Sequence, residues 1–375
     1  MLCTLYEPIL WRALKAPNCT VRLQAACLFF DVFPLRQSKT SAEATDAYLQ
    51  LQFDVIQELL MDTNSNLRVV AIYGTSRILC TYWELLPTGT IIQLLNVLTQ
   101  KLVYDATSGA VRAAVFDGLS LLVDNHLSHS ILKPILPKLS KLIHDSQERV
   151  RLAFVKLLVR IKSVRSIHFY DVVLVDELLH TMVLDGESKK ISSELACLFL
   201  RSYFPQGSSG SDQVSRCLAF VQKDHQAAAV FYKSVYHHVS VGAVCKLAVL
   251  LFRCLSNEVK KETNKENESE ESFPENENEN GSKMDIRQKT GILCIMVELL
   301  QSVEKQYQSE RHKASHDLLT KELQIDSVKG LLKSFNDHCE GKLYYILLLS
   351  SVPWCICREN IIVEIIKAHS THSFE

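Results

Sequence analysis

Apolar residues recur at helical spacing along most of the chain, and short polar loops break the runs at regular intervals. One unit recurs. An amphipathic helix ends in a loop containing Asp, and a second helix opens with an aliphatic residue, an Arg and a nearby Ala. One copy reads DTNSNLRVVAIYGTSRIL, with Asp62, Arg68 and Ala71. The next reads DATSGAVRAAVFDGLSLL, with Asp105, Arg112 and Ala113, and a third DSQERVRLAFVKLLVRI, with Asp145, Arg151 and Ala153. An earlier copy, APNCTVRLQAACLFF, has Arg22 and Ala25 but Asn18 where the others have an acid nearby. The four Arg stand 46, 44 and 39 residues apart, the period of HEAT and armadillo units, which are about 40 to 47 residues of paired helices.

The residue types carry physical reasons. Asp in the loop is expected to cap the second helix and favour its positive end. The Arg is expected to pair with an acid of a neighbouring repeat and to satisfy loop carbonyls. The small Ala lets paired helices approach closely. Each pair leaves an apolar face that only a neighbouring pair can cover, so the units must stack. The fold class this predicts is all-α, a HEAT/armadillo-type superhelix (solenoid). Asp62, Arg68, Asp105, Arg112, Asp145 and Arg151 form its structural ladder.

Beyond the fourth unit the pattern degrades but stays helical. Tyr170 to Leu184 is a first-helix candidate, and in the next helix Lys190-Ile191 stands where the aliphatic-Arg pair is expected. Gly207 to Ser211 is a loop, and helices are predicted over Asp212–Gln222, Gln226–His238 and Val241–Leu255. Residues 264–282, NKENESEESFPENENENGS, hold seven Glu against one Lys, with Phe273 as the only large apolar group. Such a segment cannot bury enough surface to offset its ordering entropy. The predicted organisation is therefore repeats over 1–256, a disordered acidic insertion over 257–284, and further repeats over 285–375 with a truncated or atypical end. Helices are expected there near Asp285, at Ser315–Leu323, Ser327–Cys339 and Lys342–Ser350, and near Ile361–Ala368.

Composition agrees with this class. Of 375 residues only 12 are Gly and 9 Pro, less turn punctuation than a strand-rich protein needs. Apolar residues make up 47%, enough for a sizeable core. Net charge is −1, so no overall charge advertises nucleic acid or a membrane. The twelve Cys stand singly in apolar helical runs, the pattern of free thiols in a reducing compartment rather than of a disulfide framework. The longest near-uninterrupted apolar run, Tyr344 to Cys357, is 14 residues, short of the roughly 20 a bilayer span needs. A soluble intracellular chain is expected, with no membrane partner, and Asn18-Cys19-Thr20 reads as a chance glycosylation pattern.

Chemical motifs are sparse. No Gly-rich phosphate loop or H-E-x-x-H occurs. His126-x-x-His129 lies in an inter-helix loop without Cys or acidic companions, and Cys355-x-Cys357 with His338 and Cys339 reads more readily as core than as zinc ligands. No cofactor, no metal and no small-molecule substrate are expected, and the chain does not read as an enzyme. One feature rises above background. Between Lys133 and Arg165 lie nine basic residues, opposed only by Asp145 and Glu148. Arg149, Lys156 and Arg160 are spaced i, i+7, i+11, one stripe of a helix. Lys138, Lys141, Arg149, Lys156, Arg160, Lys162 and Arg165 are candidate DNA-backbone contacts, since binding without base specificity needs only clustered Lys and Arg. A solvated face that keeps the solenoid soluble explains the cluster as well. The acidic segment reads either as a solvated linker or as a competitor lying over that basic surface.

In the text of VRLQAACLFFDVFPL, LRVVAIYGTSRIL, AVRAAVFDGLSLLVDNHLSHSILKPILPKLSKLIHDSQERVRLAFVKLLVRIKS and FYDVVLVDELLHTMVLD, the chain resembles the G-type HEAT-repeat (non-SMC) subunits of the condensin II complex. The resemblance covers at least residues 1–255. It implies a non-catalytic scaffold that binds a kleisin chain and, through it, the SMC ATPase pair. It also implies a role in chromosome condensation in the nucleus, on mitotic chromosomes. Related solenoids hold DNA in a basic groove, a role that would fall here on Lys156 and Arg160. Family members are far longer, so a fragment or short isoform is expected. The rival reading from the repeats alone is a HEAT adaptor that binds peptides in transport or trafficking.

Overall fold

A computed structural model describes residues 2–36, 41–268, 284–307 and 310–323, together with Leu348. The described residues form helices and contain no strand. They divide into two compact units, Met1–Thr181 and Met182–Glu375. The protein is an all-α solenoid built of stacked helix pairs.

In the first unit, α1 (Leu2–Leu14) pairs with α2 (Cys19–Val32), and α3 (Ala42–Leu60) with α4 (Ser65–Tyr82). The next first helix is irregular. It begins as α5 (Thr88–Asn96), widens into a π-turn over Val97–Lys101 and tightens into a 3-10 turn over Leu102–Tyr104. It packs on α6 (Gly109–Val123). The fourth first helix is 3-10 at His126–Ser128, α-helical over α7 (His129–Leu132) and 3-10 again over Leu136–His144. Pro134 and Pro137 fall in this stretch, and each removes an amide donor that a regular α-helix would use. Its partner is α8 (Glu148–Lys162). Helices α9 (Phe169–Val172) and α10 (Val175–Leu184) follow.

The second helices α2, α4, α6 and α8 stack on one another in chain order. Two glycines permit this closeness. A Cβ on Gly74 of α4 would lie 2.2 Å from the Phe30 ring of α2, and one on Gly118 of α6 would lie 2.3 Å from Ser76 Oγ of α4. The layer is sealed by fully buried Phe29, Leu67, Ile72, Val111, Phe116, Val150 and Phe154, with Phe116 stacked on Phe154 at 4.6 Å between ring centres.

The second unit repeats the logic without the Arg signature. Helices α11 (Lys189–Tyr203), α13 (His225–Ser234) and α15 (Ile286–Tyr307) stack in one row. Helices α12 (Gly210–Lys223), α14 (Val241–Glu268) and α16 (Lys313–Glu322) stack in the other. Tyr203 stacks on Phe220 at 3.8 Å, and buried Tyr232 donates its hydroxyl to the Tyr203 carbonyl at 2.8 Å. Burial pushes the neighbouring Cys217 thiol up to about 12.

One expectation changes. Helix α14 does not stop at Leu255 but continues to Glu268, well into the segment 257–284 expected to be disordered. Glu and Lys are good helix formers, so a helix anchored by buried Val244, Ala248, Leu251 and Leu255 extends into its polar continuation. The predicted helices after residue 326, the His338/Cys339/Cys355/Cys357 group and residues 269–283 of the acidic segment lie outside the described residues. No helix among the described residues is long and apolar enough to cross a membrane.

Candidate functional site

The inter-repeat loops carry a ladder of ion pairs in which Arg22, Arg68 and Arg112 each reach forward to the Asp of the next repeat. Arg22 meets Asp62 through Nε at 2.9 Å and Nη2 at 3.0 Å. Arg68 Nη2 lies 2.9 Å from Asp105 and donates to Thr107 Oγ1 at 2.7 Å. Arg112 holds Asp145 with Nε and Nη2 at 2.8 and 2.9 Å. Each Nη1 donates to a carbonyl of its own loop: Arg22 to Ala16, Arg68 to Asp62, Arg112 to Asp105 and Arg151 to Asp145. Every rung thus ties two successive loops and fixes the spacing of the pairs.

The acids do not cap the second helices themselves, as their loop position suggests they would. The N-cap residues are Asn64, Ser108 and Gln147. Asp62, Asp105 and Asp145 sit just before them and accept the amides of Asn64, Thr107 and Gln147, at 2.8 to 2.9 Å. They shape the loop and leave the second carboxylate edge for the incoming Arg. Burial acts to raise the three carboxyl groups, but the Arg, amide and hydroxyl partners outweigh it and hold all three below the usual range. In the first repeat Asn18 is the N-cap of α2 and accepts from the Thr20 amide.

The basic cluster is less uniform than its sequence. Lys138 and Lys141 are exposed on the 3-10 segment Leu136–His144, where residues three apart share a side. Arg149 and Lys156 are exposed on α8, and Arg165 is exposed beyond its end. The first pair belongs to the first-helix layer and the second to the second-helix layer, so the seven candidates do not form one stripe. Arg160 changes status most. Its guanidinium grips both Asp124 carboxylate oxygens through Nε and Nη2, Nη2 lying 2.7 Å from Oδ2, so it is not an unopposed cation. Asp124 stands 36 residues earlier, at the end of α6, and stacking brings it alongside. Lys162 is only half-buried, and Arg151 spends Nη1 on its loop.

Other candidates resolve into structure. His129 uses Nε2 on the Val123 carbonyl at 2.8 Å and Nδ1 on Ser166 Oγ at 2.7 Å. Among the described residues no group of three His, Cys, Asp or Glu is placed to hold a metal ion. One feature the residue pattern did not single out is an apolar groove of about 680 Å³ on α1 and α2, lined by Ile9, Leu10, Ala13, Val21, Leu28 and Val32.

Comparison with known proteins gives the repeats a context. The family model described as "Condensin II non structural maintenance of chromosomes subunit" matches residues 1–37. The human "Condensin-2 complex subunit G2" is 33% identical over 361 residues, which is 94% of this chain and 31% of that protein. The zebrafish (Danio rerio) subunit of the same name is 32% identical over 94% of this chain and 30% of its own length. The Xenopus laevis one is 36% identical over 68% of this chain and 22% of its own. By sequence, then, this chain is similar over nearly its whole length to the G2-type non-SMC subunits of condensin II, and it spans about a third of theirs.

Proposed function

We propose that the chain is a scaffold stretch of a condensin II non-SMC subunit. It binds the kleisin and, through it, the SMC pair, and holds DNA without reading its sequence. Its place is in the nucleus, where it supports chromosome condensation in mitosis. The observation that carries the reading is relatedness to the G2 subunits over 94% of the chain. The fold supports it. Rungs of paired Arg and Asp make a stiff support, and the chemistry on offer is surface rather than pocket.

DNA contact is assigned to the exposed cations, Lys138, Lys141, Arg149, Lys156 and Arg165, and not to Arg160, whose charge is spent on Asp124. Each phosphate contact contributes about 0.9 to the slope of log affinity against log salt on B-form DNA. Changing Arg149 and Lys156 together to Glu is expected to lower that slope by about 1.8. The pair Lys138 and Lys141 gives a second, separate measurement on the other helix layer. Base sequence is expected to have little effect, because no helix among the described residues presents a groove-reading motif. If neither pair changes the slope while both variants keep their helicity, the cations are a solvated face and direct DNA contact falls.

A further inference from the structure

The middle rung of the ladder differs from the other two. Arg22 and Arg112 each close a two-pronged fork, with Nε on one carboxylate oxygen and Nη2 on the other. Arg68 brings only Nη2 to Asp105 and shares it with the Thr107 hydroxyl. Its Nε is buried and has no acceptor among the described residues. Arg68 is only 8% exposed, and a polar group so deeply buried ordinarily has a partner. The loop explains the difference. Asp105 stands three residues before the N-cap Ser108, whereas Asp62 and Asp145 stand two before Asn64 and Gln147. The extra residue brings in the Thr107 hydroxyl, which donates to Asp105 Oδ1 at 2.7 Å.

Arg68 lines a cavity of about 550 Å³ between the loops of two successive repeats, together with Thr63, Ser65, Lys101, Ala106 and Thr107. Asp62 and Asp105 also border it, but both are spent. Asp62 holds Arg22 and the Asn64 amide. Asp105 takes the Thr107 and Ser108 amides, the Thr107 hydroxyl and Arg68. What remains is donors. Besides Arg68 Nε, the exposed Lys101 ammonium has no ion partner among the described residues. The backbone amides of Thr63, Ser65 and Ala106 have no acceptor among them either. Ser65 opens the 18-residue α4, whose positive end favours an anion. Counting Arg22, cations outnumber carboxylates here by one.

We propose that this cavity is a site for one phosphate group, held by Arg68 and Lys101. A phosphate has enough oxygens to meet donors on both walls at once, which a carboxylate does not. The group has two sources of the same chemistry: inorganic phosphate, or a phosphate ester on Thr107, whose exposed hydroxyl already touches Arg68. In the second case a protein kinase transfers the γ-phosphoryl group of ATP. The bond from Oγ1 to phosphorus forms as the bond to the ADP oxygen breaks, and the hydroxyl proton passes to the base of the kinase. The bond from Thr107 to Asp105 is then lost, and the phosphate takes the place of Asp105 on Arg68. Either source supplies the acceptor that Nε lacks and ties the two loops more tightly. The inference is independent of the kleisin and DNA readings.

The test has two arms, both on the full chain. In the first, inorganic phosphate is titrated at constant ionic strength and followed by the amide resonances of Thr63, Ser65 and Ala106. Saturable shifts are expected, and Lys101→Ala is expected to weaken binding by roughly tenfold or more, the loss of one charge-assisted bond. Lys141→Ala removes an exposed lysine of the next repeat and is expected to leave binding unchanged. In the second arm phosphothreonine is incorporated at position 107 and its phosphorus resonance is followed with pH. The second ionisation, ordinarily near 6, is expected to fall by about one unit and to return toward its ordinary value with Lys101→Ala. Amide shifts in the first arm identify free phosphate as the source; a lowered ionisation in the second arm alone identifies Thr107. Lys101 is exposed, so Lys101→Ala keeps its helicity and the comparison stands. Unshifted amides together with an ordinary phosphate ionisation overturn the proposal. So do equal losses in Lys101→Ala and Lys141→Ala, since a diffuse positive field would then be acting and not the cavity.

Discussion

Replacing Asp145 by Asn separates charge from shape at one rung of the ladder. The Asp145 and Arg112 side chains are 7% and 12% exposed, and the guanidinium grips both carboxylate oxygens. Asn keeps an oxygen that can accept the Gln147 amide, so the loop turn survives. What is lost is the carboxylate charge and the Oδ2 acceptor of Arg112 Nε, while Oδ1 and the Asp105 carbonyl can still accept from the guanidinium. Breaking a fully buried pair costs about 3–5 kcal/mol. This rung lies at the loop edge of the helix layers, where water reaches part of it, so about 2 kcal/mol is the expected loss. Asp124→Asn is the control. It removes the same bidentate geometry from Arg160, but those side chains are 39% and 54% exposed, and such pairs contribute below about 1 kcal/mol. Urea midpoints at constant m give the two losses directly. In melting temperature, 2 kcal/mol corresponds to roughly 4–8 °C for a unit of this size. Adding Arg112→Leu to Asp145→Asn is expected to recover part of the loss, because no buried charge is then left unpaired. An Asp145→Asn loss no larger than that of Asp124→Asn refutes the argument that burial gives the rungs their strength.

Two further outcomes follow from the same geometry. Gly74→Ala places a methyl within 2.6 Å of three Phe30 ring atoms, so overpacking of about 1–3 kcal/mol should exceed the helix-propensity gain of about 1 kcal/mol; Gly89→Ala, with nothing within 4 Å, should stabilise slightly, and thermal melts of both variants read the opposite signs. Asp62, Asp105 and Asp145 hold folded pKa values below their unfolded ones, so their contribution is complete above the unfolded value near 3.9 and is lost as pH falls through the folded values. Stability measured downward from about pH 5 should therefore decline, and the decline should be shallower in Asp145→Asn.

The ladder was legible because an Arg inside an apolar helical run is costly unless paired, so four at one period mark a repeated structural need. The direction of pairing and the residues that cap the helices were not legible, since Asp62 and Asn64 are both plausible caps and only loop geometry separates them. The same holds for the basic cluster. Counting charges between 133 and 165 could not reveal Asp124, which stacking of α6 on α8 brings to Arg160 from outside that window. Gly74 and Gly118 passed unnoticed because a glycine inside a helix signals close approach only once its neighbour is known. The exposed Val21, Leu28 and Val32 look like ordinary core positions of an amphipathic helix, and only the stack shows that they are left about half exposed among the described residues.

Whether this stretch works as a condensin II scaffold is read by mixing the purified chain with the condensin II kleisin and resolving the mixture by size-exclusion chromatography with light scattering. A stoichiometric complex is expected that, with the SMC pair present, carries all of these chains together and survives Arg149→Glu with Lys156→Glu. A folded chain that stays free of the kleisin under these conditions, and instead retains transport or trafficking peptides, would contradict it.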